Sequence, residues 1–112
     1  MTNVRKALEA KWGSLDDKLS VNDYADVGAV SCPTFSNKIF AFDAADNTLT
    51  VQILGSYDGG TTYDQTAEAA FDVTTASQVV KTITAAYTNL KVQVKSKVGG
   101  SHGTLSTKYF CN

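Results

Sequence analysis

Residues 90–98 constrain this chain more than any other stretch. Leu90, Val92, Val94 and Val98 alternate with Lys91, Gln93, Lys95 and Lys97. A strand turns a period of two into one buried face and one wet face, whereas a helix would scatter both sets around its surface. The same period recurs along the chain. Ala25 to Cys32 reads as a strand stopped by Pro33. From Asn37 to Asp43, Phe40 and Phe42 share one face while Ile39 and Ala41 share the other. Leu49, Val51 and Ile53 alternate with Thr48, Thr50 and Gln52. Shorter strands are expected at Ala70–Thr74, at Val79–Thr84, where β-branched residues are dense, and at Thr104–Phe110. Turn residues separate them: Ala44–Asn47, Tyr57–Thr61 and Gly99–Gly103.

Seven to eight short strands at this spacing predict a mainly β, antiparallel β-sandwich of the jelly-roll or Ig-like kind. The length of 112 residues fits one domain, large enough to bury a core. The 43% of hydrophobic residues is ordinary for a globular domain and rules against disorder. No apolar run approaches the ~20 residues that a membrane helix needs. The first residues lead into Ala7-Leu8-Glu9 and not into an apolar stretch, so no cleavable secretory signal is expected.

One segment departs from the strand period. Val4, Leu8, Trp12, Leu15 and Leu19 recur at steps of four, four, three and four, which places them on one helical face. Gly13 interrupts the pattern, so a short helix is expected to end near Trp12, and Ser14 with Asp17 resembles a capping box for a second turn. Residues 1–20 are therefore expected to form a short amphipathic helical segment or docking arm, and residues 21–112 the sandwich. The apolar stripe packs either on its own sheet or on a neighbouring subunit.

The 11 acidic residues all precede residue 73 and share residues 1–72 with five basic ones, a net of −6; residues 73–112 hold five lysines and no acid, a net of +5. Either the halves compensate within one fold, or they leave a bipolar surface that aligns neighbouring subunits. The cysteines, Cys32 and Cys111, and the one histidine, His102, are too few for a structural zinc site. A Cys32–Cys111 disulfide would close a long loop. The absence of an export signal argues instead that both thiols start reduced.

The most specific local motif is Ser56-x-Asp58-x-Gly60-x-Thr62-Tyr63, the pattern of an Asp-box hairpin. Asp58 accepts bonds from turn amides, Gly59 and Gly60 supply positive φ, and Tyr63 folds back as a lid. Such boxes recur in sialidase-like propellers, where they are structural, and this chain has room for no propeller. Catalysis needs a nucleophile with its base, or paired carboxylates in a cleft. His102 lies in a Gly/Ser turn, and no hydrolase, zinc-protease or nucleotide-binding motif is present. Asp43, Asp46, Asp58 and Asp64 do not have the spacing of a calcium loop. No catalytic residue, metal or cofactor is expected. Lys91, Lys95 and Lys97 line a wet face, but a single arginine and a net charge of −1 argue against nucleic acid as a partner.

Three stretches in order, Ala25–Val30, Leu49–Tyr63 and Tyr87–Ser96, with the Gly-rich turn and last strand that follow, make residues 21–110 resemble small β-sandwich proteins from the structural genes of tailed bacteriophages. The resemblance implies a non-enzymatic virion protein, above all a capsid decoration (cement) protein. It would be present in many copies, as a homo-oligomer or on a lattice, bound to the major capsid protein or neighbouring virion subunits, and assembled in the host cytoplasm. The expected interface is Val4, Leu8, Trp12 and Leu15, with Tyr57 and Tyr63 at the hairpin tip. The alternatives are a carbohydrate-binding sandwich using Tyr57, Asp58, Tyr63 and Asp64, and a neck or tail adaptor.

Overall fold

The computed structural model describes residues 12–111. Eight antiparallel strands follow one another: β1 (Gly13–Leu19), β2 (Ala25–Ser31), β3 (Lys38–Ala45), β4 (Leu49–Ser56), β5 (Gln65–Val73), β6 (Val79–Ile83), β7 (Asn89–Ser96) and β8 (Thr104–Cys111). They form two four-stranded sheets, β1-β8-β3-β6 and β2-β7-β4-β5. This interleaved order is the jelly roll, two Greek keys folded into a double sheet, so of the two expected architectures the jelly roll is the one adopted.

The core follows from the alternation. Phe40 and Phe42 of β3 and Leu105 of β8 meet Val51 and Ile53 of β4 and Leu90, Val92 and Val94 of β7, all essentially inaccessible to water. β7 ends at Ser96, so Val98, expected on the buried side, lies 63% exposed in the following turn. β5 begins at Gln65, five residues before the expected strand.

Among the described residues there is no helix. Residues 13–19, which the helical pattern covers, are a strand that pairs with β8. Spacing explains the error. Residues three apart share a helical face but point to opposite sides of a strand. Trp12 and Leu15 are thus separated: Trp12 stays 44% exposed and Leu15 packs against the core. Leu15 and Leu19, four apart, would share a strand face, but a bulge between Leu15 and Lys18 reverses the side, and Leu19 is 59% exposed. The sandwich therefore begins at Gly13. The short helix expected to end near Trp12, with Val4 and Leu8, falls outside the described residues.

The disulfide is formed. Cys32, just after β2, bonds to Cys111 of β8, with Cα atoms 5.8 Å apart, inside the range a disulfide accepts. The expectation of reduced thiols is overturned, because the fold brings the ends of β2 and β8 together across the two sheets. Beside it Lys38 is 1% exposed, and its ammonium donates to the carbonyls of Thr34, Ser36 and Ala85 at 3.0–3.1 Å. Burial pushes its pKa below the usual lysine value.

Among the described residues, all four register irregularities lie on edge strands. The extra residues belong to β1 between Leu15 and Lys18, to β2 between Asp26 and Gly28, and to β5 twice, between Phe71 and Glu68 and between Glu68 and Thr66. The fourth edge, β6, pairs with β3 in unbroken register from Val79↔Phe42 to Ile83↔Lys38.

Candidate assembly surface

The outer faces of the two sheets differ. On the sheet β1-β8-β3-β6, Phe110 pairs with Ile39, which pairs with Thr82; Lys108 pairs with Ala41, which pairs with Val80. Gly13 sits opposite Tyr109, so Trp12 falls beside Phe110, and their ring centroids are 5.3 Å apart. Trp12, Phe110, Ile39, Ala41 and Val80 thus make an apolar band across the face. Phe110 and Ala41 are nearly covered, while Trp12 and Val80 are 44% and 56% exposed. Trp12, Ala41, Gln78 and Lys108 line an open depression. The sequence carries a signal for this band. In β3 both faces are apolar, Phe40 and Phe42 on one and Ile39 and Ala41 on the other, and a strand apolar on both sides is covered on both.

The outer face of β2-β7-β4-β5 is polar and internally partnered. Gln52 donates to Gln93, and Gln93 to Asp26, at 2.7 and 2.8 Å. Lys91 lies 3.6 Å from Asp26 and Lys97 2.9 Å from Asp72. The Lys91 and Lys95 ammoniums sit over the rings of Tyr63 and Tyr24, 4.4 and 4.8 Å from their centroids. The bond from Lys97, then that from Thr50, lowers the pKa of Asp72. These pairs join the acidic and basic halves of the sequence, so on this face the charge asymmetry is compensated within the fold.

The Asp-box hairpin closes as its motif predicts. The Asp58 carboxylate accepts from the Ser56 hydroxyl at 2.6 Å and the Thr62 amide at 2.9 Å, and the Gly60 amide donates to Ser56 Oγ at 3.0 Å. Those bonds, Ser56 first, hold the Asp58 pKa at about 2. Gly59 and Gly60 have φ of 77° and 92°. Tyr57 stacks on Tyr87 at 4.8 Å, and Tyr87 in turn lies against Gly55, where any Cβ would strike its ring. Tyr57 and Tyr63 are therefore each engaged with another side chain, and Asp58 is committed to the turn. The hairpin does not bring Tyr57 and Tyr63 together with Trp12, since Tyr57 and Tyr63 border the other sheet. Among the described residues, no three His, Cys, Asp or Glu side chains converge as a metal site would require.

No protein-family model matches the chain. No curated protein matches it either. Among solved structures, one from Bacillus endospore appendages, described as a novel family of disulfide-linked pili, aligns with a TM-score of 0.52 at 15% identity, over 89% of this chain and 86% of that chain. The matched protein belongs to a pilus and not to a phage, so the all-β part of the expected resemblance stands and its phage part gains no support. At this identity the likeness is one of fold: this chain is a small antiparallel β domain built like a pilus-appendage protein along nearly its whole length.

Proposed function

We propose that this protein is a non-enzymatic structural subunit that assembles in many copies, in the manner of an appendage protein, through the apolar outer face of the sheet β1-β8-β3-β6. The observation that carries the reading is the asymmetry of the two faces. One face satisfies its own charges and amides, and the other presents Trp12 and Val80 to solvent on an apolar band. Exposed aromatic anchors on an apolar band are what binding surfaces are made of. The whole-length likeness to an appendage protein supports the class of function. A capsid decoration protein belongs to the same class; it would use the same face against a capsid subunit instead of against its own kind.

The chemistry of assembly would differ from the matched pilus in one respect. Both cysteines of the chain are consumed by the bond within it. Contacts between copies are then non-covalent, and many weak contacts retain a subunit through multivalency. The bond itself points to an oxidising setting, such as an assembled particle or appendage outside the cell.

Electron microscopy of the purified full chain, with and without Trp12→Ala, tests the reading. The expected result is ordered multi-subunit assemblies for the parent, resistant to reducing agent as far as the subunit stays folded, and their loss in the variant. Circular dichroism checks that the variant remains folded. Single particles at every concentration, alone or with capsid shells, would overturn it.

A further inference from the structure

A sheet edge offers unpaired backbone donors and acceptors, and proteins guard such edges with bulges, charges or proline. Three of the four edges here carry a bulge on the edge strand itself: β1, β2 and β5. A bulge breaks the even spacing of N–H and C=O groups that a partner strand must meet. The edge strand β6 has none. Its sequence, Val79-Val80-Lys81-Thr82-Ile83, contains four β-branched residues and no proline or acid. Its one charge, Lys81, pairs with inward-facing Phe40, and its ammonium is spent over the ring of Phe71, 4.7 Å from the centroid. The charge that could guard the edge is therefore turned across the gap to β5. Among the described residues nothing pairs with the outer side of β6.

We infer that β6 pairs antiparallel with β6 of a second copy, joining two sheets of four strands into one of eight. The occupant follows from elimination. With one regular edge among the described residues, two identical chains can extend a sheet through regular pairing of these strands by β6 against β6, an isologous contact that closes at two copies. Side chains choose the register. Pairing centred on Lys81 sets like charges face to face, which is unfavourable. Pairing centred on Val80 sets Val80 against its copy and Lys81 against Val79. Val80 ends the apolar band that starts at Trp12, so this register makes the bands of two copies continuous. The inference rests on the structural-subunit reading and adds its building unit, a dimer.

Analytical ultracentrifugation of the full chain, alongside hydrogen exchange of β6, tests it. The parent sediments as a concentration-dependent dimer, and every second β6 amide becomes protected as the dimer forms. Val80→Lys places two lysines against each other at the axis and weakens the dimer by roughly tenfold or more, whereas Val21→Lys, another exposed valine, leaves it unchanged. Both sites are about half-exposed, so both variants fold. A parent that stays monomeric, a dimer indifferent to Val80→Lys, or a monomer whose β6 is already protected would each overturn the inference; the last would mean that the chain covers its own edge. Ordered assemblies seen by microscopy without a β6 dimer would remove this inference alone. A β6 dimer that never assembles further would remove the structural-subunit reading alone.

Discussion

The two ends of the sandwich are closed by different chemistry. At one end meet the loop after β2, the β4–β5 hairpin, the β6–β7 loop and the end of β8. This end holds the Cys32–Cys111 bond, the Lys38 ammonium on three carbonyls, the stacked Tyr57 and Tyr87, and the Asp58 turn tied to Thr88 through the Gly59 amide. At the other end the Lys97–Asp72 ion pair stays on the outer face, and the loop backbone is held by hydrogen bonds of hydroxyls and amides. Ser20 Oγ lies 2.7 Å from Ser96 Oγ, which lies 2.8 Å from His102 Nδ1, and the Gly103 amide donates to Ser20 Oγ. The Asn47 side chain donates to the His102 carbonyl, and the Gly100 amide donates to the Asn22 side chain. Both ends must satisfy loop backbone near the core. One does it with a covalent bond and charges, the other with hydroxyls and amides, and they should fail under different conditions.

The largest effect is expected from the disulfide. Its closure spans 79 residues, for which the chain-entropy relation gives about 4.5 kcal/mol. Replacing both cysteines by serine should lower denaturant stability by an amount of that order. Hydrogen exchange should then accelerate first around Cys32, Lys38 and Tyr87, and last around Ser20 and Ser96. Uniform acceleration at both ends would erase the distinction. Ser96→Ala should cost less, about 1–2 kcal/mol, because it leaves the buried Ser20 Oγ short of a partner and takes one from the exposed His102 ring. Chemical denaturation in the presence and absence of reductant should show this loss unchanged, since the network holds no thiol. The smallest effect is expected at Asp58. Its carboxyl is held at about 2, below the ordinary 3.8. A depressed acid contributes stability that is fully present above its unfolded value and lost as pH falls through the folded one. Melting temperatures of the parent should therefore fall more steeply between about pH 4 and pH 2 than those of Asp58→Asn, and the two curves should run parallel above pH 5.

Much of the fold was legible because alternation is local. Leu90 to Val94 needed no partner to reveal which side was buried, and Phe40 with Phe42 declared the core as plainly. The Asp-box turn was legible too, since Ser56, Asp58, Gly60 and Thr62 bond to one another within a few residues. What failed depended on distant partners. The second turn expected after Ser14 fits Leu15 and Leu19 by spacing, yet pairing with β8 makes 13–19 a strand, and a bulge that no residue type announces turns Leu19 outward. The Cys32–Cys111 bond was equally hidden, because only the interleaved strand order brings those two positions together. The candidate surface was half visible. Trp12 stood out, but its partners Phe110 and Val80 come from strands nearly 100 and 70 residues away, and their alignment is a matter of register.

The position of the disulfide also sets how this molecule bears a mechanical load. A chain drawn out from Trp12 and Cys111 with the bond cut could lengthen to about 340 Å at full extension. With the bond intact, the path runs from Trp12 to Cys32 and then crosses directly to Cys111, and the limit falls to about 70 Å. Strands β3 to β7 lie wholly inside the closed loop and carry none of the tension along their own backbone. A pull on this domain is thus taken by β1, β2 and one sulfur–sulfur bond, while most of the core is left off the line of force.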